Sequence, residues 1–212
     1  MVFSIQGNNG SYKSERDSLA QIMDLNHRDI SYAKQVHSDD VSRIINSGFA
    51  GEYDGLITNI PNRILSIQVA DCVPIFLYDV ESHVIGLVHT GWRGTSKKIV
   101  RRAVKSMNDW FQSKPQNLEA YLGPSINACC YEVGEEVADL FSGNSVIKKG
   151  SDNYFLDLVL ANKHQLLYSG IRSENIKEAD ECTCCSSTNF HSYRRDGKRA
   201  GRMFCFYHLN NS

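Results

Sequence analysis

The sequence predicts an α+β domain of mixed, largely antiparallel sheets flanked by helices. Three observations point to it. Runs rich in β-formers at residues 64–70, 74–80 and 84–89 are too short for buried helices. One segment, in which Ile99, Val100, Ala103, Val104, Met107, Trp110 and Phe111 recur at helical spacing, supplies an amphipathic helix that runs through Ser113. Strands and helices follow one another without the regular alternation that a doubly wound sheet requires.

Taken in order, residues 13–23 form a first helix with Leu19, Ile22 and Met23 on one face, and a loop at 26–29 leads into an extended segment at 30–36. The three β-rich runs read as one sheet core. Residues 91–94, Gly-Trp-Arg-Gly, break the strand pattern ahead of the long helix. The other face of that helix carries Lys97, Lys98, Arg101, Arg102 and Lys105, which reads as a solvated surface rather than a binding one. A strand at 118–122, a helix at 135–141 and a helix at 156–169 follow, the last closed by Gly170 in the C-cap position. Strands at 190–194 and 203–208 complete the chain, with Asp196-Gly197 placed as a hairpin turn. No repeat, low-complexity tract or Pro/Gly/Ser-rich linker divides residues 1–212, so one continuous domain is expected.

A chain of 212 residues buries a sizeable core without staples. Its 23 basic against 24 acidic side chains give no excess charge to steer it toward nucleic acid or an anionic membrane, and a small-molecule partner suits this balance better. No run approaches the roughly 20 apolar residues that span a bilayer, and the opening residues do not read as a signal peptide, so a cytoplasmic protein is expected. Seven cysteines, an odd number, then read as free thiols or ligands rather than a disulfide framework.

Three chemistry-bearing side chains stand at strand ends. His37 opens the polar turn Ser38-Asp39-Asp40, Cys72 lies in Ala70-Asp71-Cys72-Val73-Pro74, and His89 ends an apolar strand just before Thr90-Gly91. Imidazole nitrogen and thiolate sulfur are zinc donors, and three protein ligands with one open position is that ion's usual catalytic arrangement. The same residues also read as a cysteine hydrolase, with Cys72 as nucleophile and His89 or His37 as base. Asp71 is either a proton carrier or a turn residue that hydrogen-bonds nearby. In Cys182-Thr183-Cys184-Cys185 a CxxC pair is present, but no second pair follows at zinc-ribbon spacing and Cys129 and Cys130 are adjacent and upstream, so a structural zinc is the less favoured reading. A redox role is disfavoured further, because no strand-to-helix junction places the first thiol at a helix N-terminus. Arg194, Arg195, Arg199 and Arg202 crowd residues 191–202 and read either as an anion clamp or as a solvated hairpin; at Arg93 the flanking glycines either let an anion approach the backbone or permit a tight turn.

Seven ordered strings carry a resemblance: KQVHSDDV (34–41), YDGLIT (53–58), VADCVPIFLYD (69–79), GLVHTGWRGT (86–95), LGPSINACCYEVGEEV (122–137), LDLVLANKHQL (156–166), and CTCC with FHSYRRDGKRAGR (190–202). Together they resemble the family long labelled multicopper polyphenol oxidoreductases or laccase-domain proteins and now described as purine nucleoside phosphorylases. The resemblance implies an α+β fold similar to that of a deamidating bacterial toxin. It assigns the zinc ligands to His37, Cys72 and His89, and implies phosphorolysis of adenosine, inosine, guanosine and methylthioadenosine, with adenosine deamination as a second reaction. Purine nucleosides and phosphate are then the partners, with Asp71 as a candidate proton carrier and Arg93, Arg194 and Arg195 as candidates to neutralise the anion. Arg16 falls where the family has an Asn-Arg pair, although Glu15 replaces the asparagine. The older label implies copper and phenol oxidation, but the sequence lacks the multiple histidine pairs that several copper centres require. A binding module without catalysis is a third reading, favoured if a fourth protein ligand closes the site. The opening, residues 1–12, is shorter than in the family, which implies a more open pocket or a different substrate range.

Overall fold

The side-chain alternation of the β-rich runs decides which surfaces meet. The computed structural model describes residues 2–5, 13–150, 153–186 and 190–210. The shortened opening at 1–12 lies outside the described residues except for 2–5. In chain order the first half comprises β1 (Val2–Ile5), α1 (Lys13–Ile22), β2 (Ile30–Lys34), β3 (Val41–Arg43), β4 (Gly48–Glu52), β5 (Gly55–Thr58), β6 (Ile64–Val69), β7 (Val73–Asp79) and β8 (Val84–Thr90). The second half comprises α2 (Trp92–Ser96), α3 (Ile99–Phe111), β9 (Leu118–Leu122), β10 (Glu132–Val133), α4 (Glu135–Ala138), β11 (Val146–Lys149), β12 (Asn153–Leu156), α5 (Leu158–Tyr168), β13 (Ile176–Glu178), α6 (Tyr193–Asp196) and β14 (Arg202–His208).

Six strands form one sheet in the order β13-β9-β7-β8-β5-β3, five form a second in the order β1-β14-β6-β2-β4, and β10-β12-β11 make a small third. The longer pairings, β7 with β8 and with β9 and β6 with β14, are antiparallel, while β2 pairs in parallel with both β4 and β6. The fold class is therefore the expected α+β arrangement of mixed sheets. On β8, Val84 and Val88 face α3 and α5, packing with Ile99, Ala103, Met107 and Leu166. The alternate residues Ile85 and Leu87 face the five-stranded sheet, packing with Leu65, Ile67, Met203 and Cys205. On the far side of that sheet Ile64, Phe204 and Phe206 meet Leu19 and Ala20 of α1. The result is four layers, helix, sheet, sheet, helix, in which the central strands β6, β7 and β8 are buried on both faces while outer strands such as β9 and β4 expose some of their residues. Each fully buried Leu or Ile contributes about 1.5–3 kcal/mol.

Several sequence expectations are corrected. The three β-rich runs do not form one sheet: β6 belongs to the five-stranded sheet and β7 to the six-stranded one. The chain changes sheet at Asp71, whose φ of 85° turns it sharply between them. Residues 91–94 break the strand pattern as expected, but as the N-cap Gly91 and first turn of α2 rather than as a tight turn. The expected strand at 190–194 and hairpin at Asp196-Gly197 are instead α6 and a following 3-10 turn. Ser192 Oγ accepts the Arg195 N–H, Asp71 takes the Arg194 N–H that a strand would need, and Gly197, with φ 58°, ends α6 and opens the 3-10 turn. The helix expected at 135–141 stops at Ala138. The one expected from 156 begins at Leu158, where Asp157 caps the Leu160 N–H and Leu156 still belongs to β12. The long helix stands as expected, with Ile99, Val100, Ala103, Val104 and Met107 buried. Its basic face is solvated and paired: Arg102 reaches Asp39 at 2.8 Å, and Lys105 pairs with Asp109.

Candidate metal centre

β2, the β6–β7 turn and β8 all end at the same rim of the sandwich, and each delivers one donor. His89 shares the inter-sheet face of β8 with Ile85 and Leu87, so alternation alone aims it into the gap between sheets, where it is 4% exposed. Cys72 follows the Asp71 turn, and His37 follows β2 with φ 57°, a left-handed conformation that needs outside support in a residue with a side chain. The His37 and His89 ring centroids are 4.8 Å apart, and the donor atoms of His37, Cys72 and His89 all lie within 4.8 Å of one another.

The support comes from Asp54, which is fully buried at the start of β5 and which the sequence reading passed over. One carboxylate oxygen accepts the His37 N–H at 3.1 Å and faces His89 Nδ1 at 2.8 Å. The other accepts the N–H groups of Val36 and Ser38 at 3.2 and 2.6 Å and the Ser38 hydroxyl at 2.9 Å. One side chain thus fixes the His37 turn and the ring plane of His89, the outer-shell role that metal-binding histidines require. Burial opposes ionisation of Asp54, but His89 and the Ser38 donors outweigh it and hold the carboxyl below its ordinary value. Burial likewise disfavours the charged form of His89, yet the Cys72 negative charge and Asp54 raise it to about 9. His37 is lowered, by burial first and by the neighbouring His89 charge second. His37 thus offers a free lone pair at neutral pH, while His89 must exchange a proton for an ion.

The three residues fit a metal ion on two observations. The donor set is two imidazoles and a thiolate with a carboxylate behind one imidazole, the chemistry of a three-ligand zinc site. A cradle is also reserved: a Cβ added to Gly91 would stand 2.9 Å from Cys72 Sγ and 3.0 Å from His37 Nδ1. Since Gly91 has φ −79°, open to any residue, space rather than backbone freedom calls for glycine here.

The cluster forms the floor of a cavity of about 790 Å³, a size suited to a small-molecule ligand. Arg93, Arg194 and Arg202 line its walls together with Trp92, Tyr131 and Tyr193. The Arg93 guanidinium lies 4.2 Å from the Trp92 ring centre and that of Arg194 5.2 Å from the Tyr131 ring centre. Burial, then the negative charge of Cys72, raises the Tyr131 hydroxyl, so it stays protonated. Asp71 lines the cavity with both carboxylate oxygens engaged: Thr183 Oγ1 and the Arg194 N–H each donate to it at 2.6 Å. Two arginines expected near substrate lie elsewhere. Arg16 is buried in α1 with its guanidinium 3.5 Å from the Tyr32 ring centre. Arg195 donates to the carbonyls of Thr183, Cys184 and Phe190 and pairs with Asp196 at 2.8 Å. Arg202, one of the four crowded arginines, takes the anion-clamp reading, while Tyr131 is not singled out by the sequence; each sits in a quoted string, AGR and CCYEVG, that marks the segment but not the direction of the side chain.

A second cluster lies behind Asp71. Cys129 and Cys130, in the loop after β9, meet Cys182 and Cys185, in the loop after β13, and their four sulfurs lie within 4.8 Å of one another. The wide separation that disfavoured a metal reading of the CxxC pair is closed by the parallel pairing of β9 with β13 and by the Ser125–Cys182 bridge that extends it. Burial opposes ionisation of Cys182, but N–H donation from Asn127, Cys185 and Cys184 brings the thiol down to about 7.

The chain is thus of the class of four-layer α+β sandwiches, with a His/Cys/His cluster able to hold a metal ion beneath an arginine-walled cavity. Residues 2–210 match the model of the multi-copper polyphenol oxidoreductase laccase family, and the chain belongs to that family. It is 39% identical over 194 residues to a purine nucleoside phosphorylase of Clostridium acetobutylicum, covering 90% of this chain and 81% of that one. It is 34% identical over 158 residues to an adenosine deaminase from an unknown prokaryotic organism, covering 71% of this chain and 60% of the other. The crystal structure of YlmD from Geobacillus stearothermophilus superposes with a TM-score of 0.90 at 29% identity, over 94% of this chain and 80% of that one. Among the described residues no helix is long and apolar enough to cross a membrane.

Proposed function

We propose that this chain is a zinc-dependent purine nucleoside phosphorylase that cleaves adenosine, inosine, guanosine and methylthioadenosine, with adenosine deamination as a second reaction. The observation that carries the proposal is the convergence of His37, Cys72 and His89 on the floor of a cavity walled by arginines and aromatic rings. Zinc would be held by His37, Cys72 and His89 and, when bound, would supply Lewis acidity to the cavity. Trp92, Tyr131 and Tyr193 offer flat apolar surface for a purine, and Arg93, Arg194 and Arg202 offer cations for phosphate. In phosphorolysis the bond between ribose C1′ and the purine nitrogen breaks, a phosphate oxygen takes C1′, and the base leaves with a proton. The arginines hold the anion against C1′, and the Tyr131 hydroxyl is placed to donate a hydrogen bond within the cavity. Asp71 acts by positioning, since both its oxygens are occupied by Thr183 and Arg194 and it carries the sharp turn into Cys72. Arg195 has a comparable supporting role, and Arg16 braces α1 against β2.

One specific observation favours a second reading. Asp54, His89 and Cys72 stand in the order of a thiol hydrolase triad, with the carboxylate on Nδ1 of the imidazole. The second imidazole weighs against it, because a triad needs one histidine and here Asp54 also holds the backbone turn that brings the His37 ring to 4.8 Å from that of His89. The deciding assay gives the protein adenosine with and without phosphate. Phosphate-dependent release of adenine and ribose 1-phosphate, lost in His89→Ala and on removal of metal by a chelator, is expected. Phosphate-independent hydrolysis that survives metal removal, with a ribosyl or purinyl thioether on Cys72 found by mass spectrometry of quenched turnover mixtures, would establish the second reading instead.

A further inference from the structure

We infer that Cys129, Cys130, Cys182 and Cys185 hold a second zinc ion in a closed, structural four-thiolate site. Four sulfurs from two loops lie within 4.8 Å of one another, with Cys129 Sγ 3.7 Å from Cys130 Sγ and 3.6 Å from Cys185 Sγ. Zinc–sulfur bonds of about 2.3 Å in a tetrahedron place neighbouring sulfurs about 3.8 Å apart, so the two edges that meet at Cys129 have the length of a loaded site and the other sulfurs lie within reach of it. They are far longer than the roughly 2.05 Å of a disulfide. Hydrophobic packing does not account for the gathering either, because Cys129 and Cys185 are exposed. The remaining buried thiol, Cys205, shows the contrast: it lies in the core, outside both cysteine-containing clusters, and behaves as an apolar side chain.

The backbone around the cluster is shaped for thiolates. Asn127 N–H donates to Cys182 Sγ at 3.4 Å, and the N–H groups of Cys184 and Cys185 point to the same sulfur, the pattern of a CxxC knuckle whose first thiolate is a ligand. On the other loop a turn closed by Cys130 N–H to the Asn127 carbonyl at 3.0 Å brings the adjacent Cys129 and Cys130 to one side. Arg195 donates to the Thr183 and Cys184 carbonyls, which sets a positive charge beside a site that four thiolates and one dication leave negative. On binding, the four thiols release their protons to solvent and no oxidant is consumed. All four zinc positions are filled by protein, so the ion takes no part in the reaction. Its effect on the site is mechanical: Thr183, within the knuckle, donates to Asp71, and Tyr131, next to Cys130, lines the cavity. The ion ties both loops to the rim that carries Cys72.

The experiment is zinc analysis of untagged protein from zinc-supplied cells, made on the wild type, on His89→Ala and on the double variant Cys182→Ser/Cys185→Ser. About two zinc ions per chain are expected in the wild type and about one in each variant. If the double variant fails to fold, His89→Ala carries the test alone: cobalt exchanged into it should give the intense thiolate-to-cobalt band and the tetrahedral visible spectrum of a four-sulfur site. A His89→Ala protein without metal, a cobalt form lacking that band, iron in the site of zinc-supplied protein, or a disulfide among these cysteines on alkylation mapping would each overturn the inference. The outcome is separable from the proposed function. If the His37, Cys72 and His89 site bound no metal, the wild type would hold one ion, retained in His89→Ala and lost in the double variant.

Discussion

At the rim of the sandwich three donors from three strand ends face a cavity; behind Asp71 four thiols from two loops face one another. The rim cluster mixes imidazole with one thiolate, keeps a buried carboxylate behind its histidines and leaves one side toward arginines and aromatic rings. The loop cluster is all sulfur, has backbone N–H groups behind it and lies away from the cavity lining. Donor number and surroundings, rather than the presence of cysteine, separate a site that can work on a ligand from one that can only hold the chain. Thr183 joins the two through Asp71, so the closed cluster sets the position of the open one.

The largest effect should come from His89→Ala, which is expected to reduce adenosine phosphorolysis to background in a turnover assay while leaving the loop cluster's ion in place. Gly91→Ala should follow, because its added Cβ would crowd Cys72 Sγ and His37 Nδ1 directly. A displacement on the order of 1 Å at such a site costs about 100-fold, so kcat/KM is expected to fall by about that factor. Asp54→Asn keeps the shape and removes the charge, and competition with a chelator should show metal affinity at the rim lowered about 10–100-fold, with the loop site unchanged.

Much of this comparison was legible in the sequence, and what was not has physical causes. His37, Cys72 and His89 could be chosen because each ends or follows an apolar run, where a polar donor is conspicuous. Asp54 could not, since an acidic residue between Tyr53 and Gly55 reads as a turn and nothing in a sequence links it to an imidazole on β8. The long helix was readable from Ile99 to Met107 because one face is wholly apolar. Residues 48–52 were not readable as a strand: Gly48 and Gly51, with φ 97° and 109°, give β4 neither β-branched side chains nor regular alternation. The four-thiol cluster was hidden by distance along the chain, because the β9–β13 pairing that closes it is a short parallel contact with no periodic signature. The arginine-rich segment was misread as a hairpin because Asp196-Gly197 has turn chemistry, while the Asp71 carboxylate that turns it into a helix lies far upstream.

Two smaller effects sharpen the link between the clusters. Thr183→Val removes a buried donor to a carboxylate, and chemical denaturation should show a loss of about 1–3 kcal/mol with both ions retained. The pH dependence of metal-free protein should report His89 in a Cys182→Ser background, because Cys182, drawn down to about 7, titrates in the same window with the opposite sign. The raised value of His89 means that its contribution is fully present below about 6.5 and is lost as pH rises through about 9, so the thermal midpoint of chelator-treated Cys182→Ser protein should decline over that window. The metal-loaded protein should lack that decline.

The most direct measurement is the phosphate dependence of adenosine consumption by zinc-loaded wild-type protein, with products identified by chromatography. Adenine and ribose 1-phosphate in equal amounts, formed only when phosphate is present and absent with His89→Ala, is the expected result. Turnover unaffected by His89→Ala, or no phosphate-dependent cleavage by protein whose rim site is shown to be loaded, would contradict it.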